Sequence, residues 1–238
     1  MTIELFRDDG YLKSCDATVT AIEGDALCVD RTVFYPEGGG QPGDSGKLTR
    51  ADGAELRIAD TRKSPQSGAH LHIVEGVEGD AMPEVGERVT MEIDWARRHR
   101  LMRMHSCMHM LCAAIPAPVT GGSIGDGSAR LDFHLPDPPD KRILEDALNR
   151  LIAADHPMHL RWISDEEMAQ QPELVRTMSV KPPGGTGRVR LVEFAGADLQ
   201  PCGGTHVASS AEIGAVRVRS IKSKGKQNRR ITIAFADE

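Results

Sequence analysis

At 238 residues, with 39% hydrophobic and 27% charged side chains and a net charge of −6, the chain has the composition of an ordinary globular protein and can bury a core in one large domain or two small ones. No apolar run approaches the ~20 residues of a membrane span, and the opening MTIELFRDDG lacks the basic start and apolar stretch of a secretory signal. The five cysteines are an odd number without disulfide-framework spacing, so a reducing cytoplasm is the expected compartment and no membrane partner is expected.

Residues 1–94 are predicted to be strand and turn. Ala17–Ile22, Ala26–Val29, Leu56–Ile58 and Arg88–Ile93 are short β-type runs separated by Gly, Asp and Pro, a spacing that suggests a small β-barrel or meander. Within them, Gly38-Gly-Gly-Gln-Pro-Gly-Asp44 reads as a hairpin or barrel-corner turn. It is not a P-loop, because no Gly-Lys-Ser/Thr follows.

From Trp95 the pattern becomes α+β, over residues 95–238. Trp95–Ala114 contains no Gly or Pro, and Pro116 stops it, which predicts a helix with Leu101, Met104, Met108, Leu111 and Cys112 as apolar surface. Gly121–Ser128 reads as a loop and Ala129–His134 as a strand. Asp140–Ala154 keeps the 3.6 period through Ile143, Leu144, Ala147, Leu148, Leu151 and Ile152. Met158–Ile163 reads as a strand, and Ser164-Asp-Glu-Glu167 as a capping box that opens a short helix. Pro182–Gly187 is a loop with no helix signal after it, hence no phosphate cradle. Arg188–Phe194 is a strand, and Ala215–Ile221 with Arg230–Phe235 form a C-terminal hairpin by their period of two.

Two separated motifs carry the chemistry. His105-x3-His109 places two imidazoles one helical turn apart on one face. In Cys202-Gly-Gly-Thr-His206 the paired glycines let the backbone bend so that a thiolate and an imidazole turn toward one point. Three imidazoles and one thiolate are a ligand set of tetrahedral Zn²⁺. Four protein ligands describe a closed structural site and three plus water a catalytic one, and the spacing is compatible with both. Cys107, two residues from each histidine, points off their face and reads as a small buried apolar residue, as do Cys15, Cys28 and Cys112. Metalloprotease chemistry of the H-E-x-x-H type is disfavoured, because Ser106 stands where the glutamate base belongs.

The charge is unevenly distributed. Residues 1–95 hold 9 Lys+Arg against 19 Asp+Glu, a net of −10, and residues 96–238 hold 20 against 16, a net of +4. Arg217, Arg219, Lys222, Lys224, Lys226, Arg229 and Arg230 are concentrated in the C-terminal hairpin, in the same half as both metal motifs. They are candidate phosphate contacts.

Gly38-Gly-Gly-Gln-Pro-Gly-Asp44, His105-Ser-Cys-Met-His109 and Cys202-Gly-Gly-Thr-His206, in this order and with Arg130-Leu-Asp-Phe133 between the metal motifs, resemble the AlaX family. These are free-standing relatives of the alanyl-tRNA synthetase editing domain. The resemblance implies an N-terminal β-barrel over 1–94 carrying the glycine motif, then a zinc-containing α+β editing domain over 95–238 of the threonyl/alanyl-tRNA synthetase type. It implies hydrolysis of the ester in tRNA(Ala) charged with serine or glycine, by contact with the acceptor end of tRNA(Ala). It makes His105, His109, Cys202 and His206 the zinc ligands and brings Gln41 near the editing pocket. Gln41, Ser106 and Thr205 are candidate polar partners for a substrate hydroxyl. A rival expectation from another class is a non-catalytic tRNA-binding module in which zinc only staples the helix to the Cys202 turn.

Overall fold

The computed structural model describes residues 2–76, 82–176 and 187–237, so most of the expected loop at 182–187 lies outside the described residues. They form two compact units, Met1–Gly38 with Pro42–His99 and Gly39–Gln41 with Arg100–Glu238. Among the described residues, no helix is long and apolar enough to cross a membrane.

The first unit is a closed antiparallel barrel of six strands: β2 (Ser14–Glu23), β3 (Ala26–Val29), β5 (Gly46–Arg50), β6 (Glu55–Lys63), β7 (His70–Val74) and β8 (Arg88–Ile93), joined in the order β2-β3-β7-β6-β5-β8. The two-residue strands β1 (Ile3–Glu4) and β4 (Arg31–Thr32) pair parallel beside it. Alternation drives the closure. In β8, Val89, Met91 and Ile93 face inward and Arg88, Thr90 and Glu92 outward. The interior is filled by Val19, Leu27, Val29, Val33, Phe34, Leu48, Ile58 and Val74. Strands β5 and β7 escape the sequence pattern for different reasons. In β5 only Leu48 is buried. In β7 the inward positions include His70 and His72, so the polarity alternation is reversed. His72 Nε2 meets Thr32 Oγ1 at 2.8 Å and its Nδ1 meets the Leu27 carbonyl at 3.2 Å. Burial lowers its pKa to about 4, so the ring is neutral.

Among the described residues of this unit is a fully buried ion pair. Arg98 and Asp44, the last residue of the glycine motif, are 0% and 1% exposed. Arg98 Nε donates to Asp44 Oδ2 at 2.9 Å, and its other nitrogens donate to the carbonyls of Val33 and Gly10. The backbone N–H of Tyr35 completes the carboxylate's shell.

The second unit is α+β. Helix α1 (Trp95–Ala114) begins at Asp94, whose carboxylate accepts from Arg97 N at 3.0 Å, an N-cap geometry. The unit boundary falls inside it, between His99 and Arg100. Two antiparallel sheets follow. One orders β14 (Val216–Ser223), β15 (Asn228–Phe235), β10 (Ser128–His134) and β9 (Val119–Ile124); the other orders β11 (Met158–Ser164), β12 (Arg188–Phe194) and β13 (Asp198–Pro201). Helix α2 (Lys141–Ala153) is capped by Asp140 and buries Leu144, Leu148 and Ile152. Its neighbouring polar row closes the edge of β14: Asn149 exchanges two hydrogen bonds with Val216, and Glu145 accepts from Val218 N at 2.7 Å. Ile143, expected on the apolar face, is 68% exposed, because that face is centred on 144/148/152. Helix α3 (Asp165–Ala169) opens with the expected capping box, Ser164 and Glu167 bonding reciprocally.

The expected loop at Gly121–Ser128 is instead partly strand β9. A Cβ at Gly122 would lie 2.8 Å from Leu131 Cδ2. Glycine here marks a close packing of two strands, a use that the sequence does not distinguish from a turn.

Removing one partner of the buried pair should be costly. Asp44→Ala leaves the Arg98 guanidinium buried and is expected to lower the urea unfolding free energy by about 3–5 kcal/mol. A loss under about 1 kcal/mol would show the pair to be dispensable.

Candidate metal centre

The metal motifs meet in the second unit. His105 and His109 lie one turn apart on α1, and Cys202 and His206 on the loop that leaves β13; one ligand atom from each lies within 4.8 Å of all the others. Cys202 Sγ is 3.4 Å from His105 Nε2 and 3.2 Å from His206 Nε2. The His105–His206 and His109–His206 ring centroids are 4.3 and 4.6 Å apart. Metal–ligand bonds of ~2.0–2.3 Å in a tetrahedron imply ligand–ligand edges of about 3.3–3.7 Å, so the Sγ–N spacings suit a common ion. The three imidazoles are buried, and Cys202 is half-buried.

Each imidazole is held through its Nδ1. His105 Nδ1 meets Gln41 Oε1 at 2.7 Å, His109 Nδ1 meets Asp198 Oδ2 at 2.8 Å, and His206 Nδ1 meets Ser106 Oγ at 3.3 Å. With the proton on Nδ1, each Nε2 lone pair faces the centre, which is how metal-binding histidines are oriented by their outer partners. Those partners are fixed in turn. Gln41 Oε1 also accepts from Thr205 N, while Gln41 Nε2 donates to Thr205 Oγ1 at 2.9 Å. Ser106 Oγ accepts from Val207 N at 3.1 Å, and Gln200 Nε2 donates to Asp198 Oδ2 at 2.8 Å. Arg190 NH1 donates to the carbonyls of Cys202 and Gly204, both at 2.9 Å, anchoring the loop to β12.

Glycines permit this crowding. Gly40 has φ +84°, and a Cβ there would sit 3.2 Å from the Gly122 carbonyl oxygen. A Cβ at Gly204 would sit 2.2 Å from His105 Cε1 and 2.9 Å from Gln41 Oε1, so no other residue fits against the ligand ring.

Electrostatics follow from proximity. Burial alone would raise the Cys202 thiol, but the His105 and His206 imidazoles outweigh it and hold it well below the ordinary thiol range. Burial opposes charge on His109, yet the Asp198 carboxylate and Cys202 raise its pKa to about 9. Burial and then His105 depress His206 well below the ordinary imidazole range. Cys107 and Cys112 are pushed up to about 12 by burial, so they stay protonated and inert.

The candidate substrate contacts Gln41, Ser106 and Thr205 are all within this network and all buried. The basic candidates are in the hairpin, but not equivalently. Arg219, Lys222, Lys224 and Lys226 are exposed. Arg217 is half-buried on β14. Arg230 holds Asp132 through two 2.7 Å bonds, and Arg229 binds the carbonyls of Gly225 and Asn228 at 2.9 Å and that of Pro136. Sequence reasoning missed Asp198, Gln200 and Arg190. A signal was present: Asp198, Gln200 and Cys202 are spaced by two, which puts all three on one face of an extended strand.

The comparisons agree with this architecture. Residues 4–97 match the family model "tRNA synthetases class II (A)", and residues 189–232 match "Threonyl and Alanyl tRNA synthetase second additional domain". The alanyl-tRNA editing protein AlaX-M of Methanosarcina barkeri is 37% identical over 245 residues, covering 100% of both chains. That of Saccharolobus solfataricus is 32% identical, covering 97% of this chain and 98% of its own. The alanine–tRNA ligase of Pyrobaculum aerophilum is 35% identical over 93% of this chain but only 25% of its own. The chain belongs to the AlaX family of alanyl-tRNA editing proteins.

Two outcomes test the centre. Asp198→Ala should weaken metal affinity by about 10–100-fold in competition with a chromophoric chelator; an unchanged dissociation constant would remove Asp198 from the account. Because the metal must displace the proton that His109 holds below about pH 9, affinity should tighten as pH rises toward 9, with proton release on loading. A pH-independent constant would contradict this.

Proposed function

We propose that the chain is a zinc-dependent aminoacyl-tRNA deacylase that clears mischarged tRNA(Ala), chiefly Ser-tRNA(Ala) with Gly-tRNA(Ala) as a second substrate. The observation that carries this reading is the His105, His109, Cys202 and His206 cluster in a chain aligned end to end with editing proteins. Three imidazoles and a thiolate with outward-held Nδ1 atoms suit Zn²⁺. A zinc ion held there would polarise an ester carbonyl, orient the substrate or lower the pKa of a water to about 7.

The chain's own residues supply position and selectivity. Gln41, Asp198 and Ser106 hold the three rings, so Gln41 and Ser106 act through His105 and His206. Cys202 is the least covered member of the cluster, and the substrate approaches from its side. Thr205 Oγ1 accepts from Gln41 and keeps its own proton to donate, which makes it the partner for a seryl hydroxyl. A pocket built to bond that hydroxyl disfavours alanine by roughly 10⁴-fold, because its polar groups would be left unpaired. The exposed Arg219, Lys222, Lys224 and Lys226, with Arg217, offer phosphate contacts along the tRNA acceptor end; Arg229 and Arg230 chiefly shape the hairpin.

The four-ligand cage also suits a metal that only staples a tRNA-binding module, and one assay separates the two readings. Incubated with Ser-tRNA(Ala) and Ala-tRNA(Ala), the protein should release serine and spare alanine. His105→Ala should abolish release while circular dichroism reports an intact fold. Intact seryl ester with tight tRNA binding would favour the module. In a second experiment, changing Lys222, Lys224 and Lys226 together to Ala should raise KM for tRNA and flatten its salt dependence. An unchanged salt slope would exclude the hairpin as the contact.

A further inference from the structure

The three-stranded sheet has an aromatic feature beside the metal centre that the reading above does not use. Trp162 on β11 lies opposite Arg190 on β12. On the other side of Arg190 stands Cys202, whose N–H donates to the Arg190 carbonyl at 3.1 Å. Directly opposed residues of antiparallel neighbours project to one face, so Trp162, Arg190 and Cys202 form a row on the face that carries the cluster. With strands ~4.8 Å apart, the Trp162 backbone is roughly 10 Å from that of Cys202. Arg190 is buried under the metal loop, whereas Trp162 is only half-buried. One step along the same face of β12, Arg188 places its guanidinium carbon 4.3 Å from the Trp162 ring centroid and is itself exposed. The result is a cationic, π-faced surface at the end of the cross-strand row that begins at Cys202, the least covered member of the cluster.

We propose that the Trp162–Arg188 stack seats the base of the terminal nucleoside of the acyl-tRNA. The base lies against the outer plane of the Arg188 guanidinium, backed by the indole. This inference rests on the deacylase reading. In that substrate the ester and the base belong to the same ribose, so the two sites must be one sugar apart, a separation that the row from Cys202 to Trp162 provides. Stacking on aromatic rings and guanidinium planes is the usual way an unpaired RNA base is held. The pairing also explains why a half-buried tryptophan occupies an edge strand beside a catalytic cluster. It favours a single-stranded nucleotide end over a duplex, whose bases are already stacked.

Two measurements test it. Kinetics with Ser-tRNA(Ala) should show Trp162→Ala raising KM about tenfold or more with kcat within about twofold, and Trp162→Phe remaining near the parent. Separately, the trinucleotide CCA should quench tryptophan fluorescence of the parent protein. It should leave Trp162→Phe, whose remaining tryptophan is Trp95, unaffected. A KM within about twofold of the parent in active Trp162→Ala, or equal quenching in Trp162→Phe, would overturn the assignment. If Trp162→Ala does not fold, Arg188→Ala replaces it with the same expected KM effect. If the parent itself releases no serine, the deacylase reading fails; the fluorescence titration still decides the base site by itself.

Discussion

The site depends on fixing the tautomer of three histidines at once. An imidazole offers a lone pair to a cation only if its proton sits on the other nitrogen, and here Gln41, Asp198 and Ser106 take Nδ1 from three directions. The three come from different stretches of sequence: the glycine motif, the start of β13 and α1 itself. Fold and centre are therefore linked in one sense. Strand β13 must pair with β12 to present Asp198, Gln200 and Cys202 on one face, and the loop after it must pass within contact of α1. Gly204 allows that passage by having no side chain to place against the His105 ring.

The glycine motif divides between two tasks. Gly39–Gln41 belongs to the unit that contains the candidate metal centre, where Gly40 meets β9 and Gln41 holds His105 and Thr205. Pro42–Asp44 belongs to the barrel unit, where Asp44 is the buried partner of Arg98. A seven-residue stretch thus serves one unit through a side-chain amide and the other through a buried carboxylate. That accounts for a polar tail on what the sequence presents as a turn.

The elements with strong local signals were legible: α1 stopped by Pro116, the 3.6 period of Asp140–Ala154, the Ser164–Glu167 capping box and the C-terminal hairpin. Their termini are decided by neighbouring residues, so a single sequence suffices. The illegible parts depend on tertiary contact. Strand β7 turns histidines inward because Thr32 and a carbonyl satisfy His72. Strand β9 looks like a loop because its glycines serve close packing. The four residues of the candidate centre were legible because chemistry restricts metal ligands to few residue types at fixed spacing. Their supports were not, because Asp and Gln on a strand have no such signature until the strand's facing is known. The differences within the basic hairpin were hidden for the same reason: Arg229 and Arg230 look like their exposed neighbours in sequence, and only their bonds to Asp132, Gly225 and Pro136 distinguish them.

X-ray absorption at the zinc edge, on protein purified without added metal, tests the central claim most directly. The account predicts stoichiometric zinc with a first shell of three nitrogens at about 2.0 Å and one sulfur at about 2.3 Å. Protein that retains no metal, or a shell without sulfur, would contradict it.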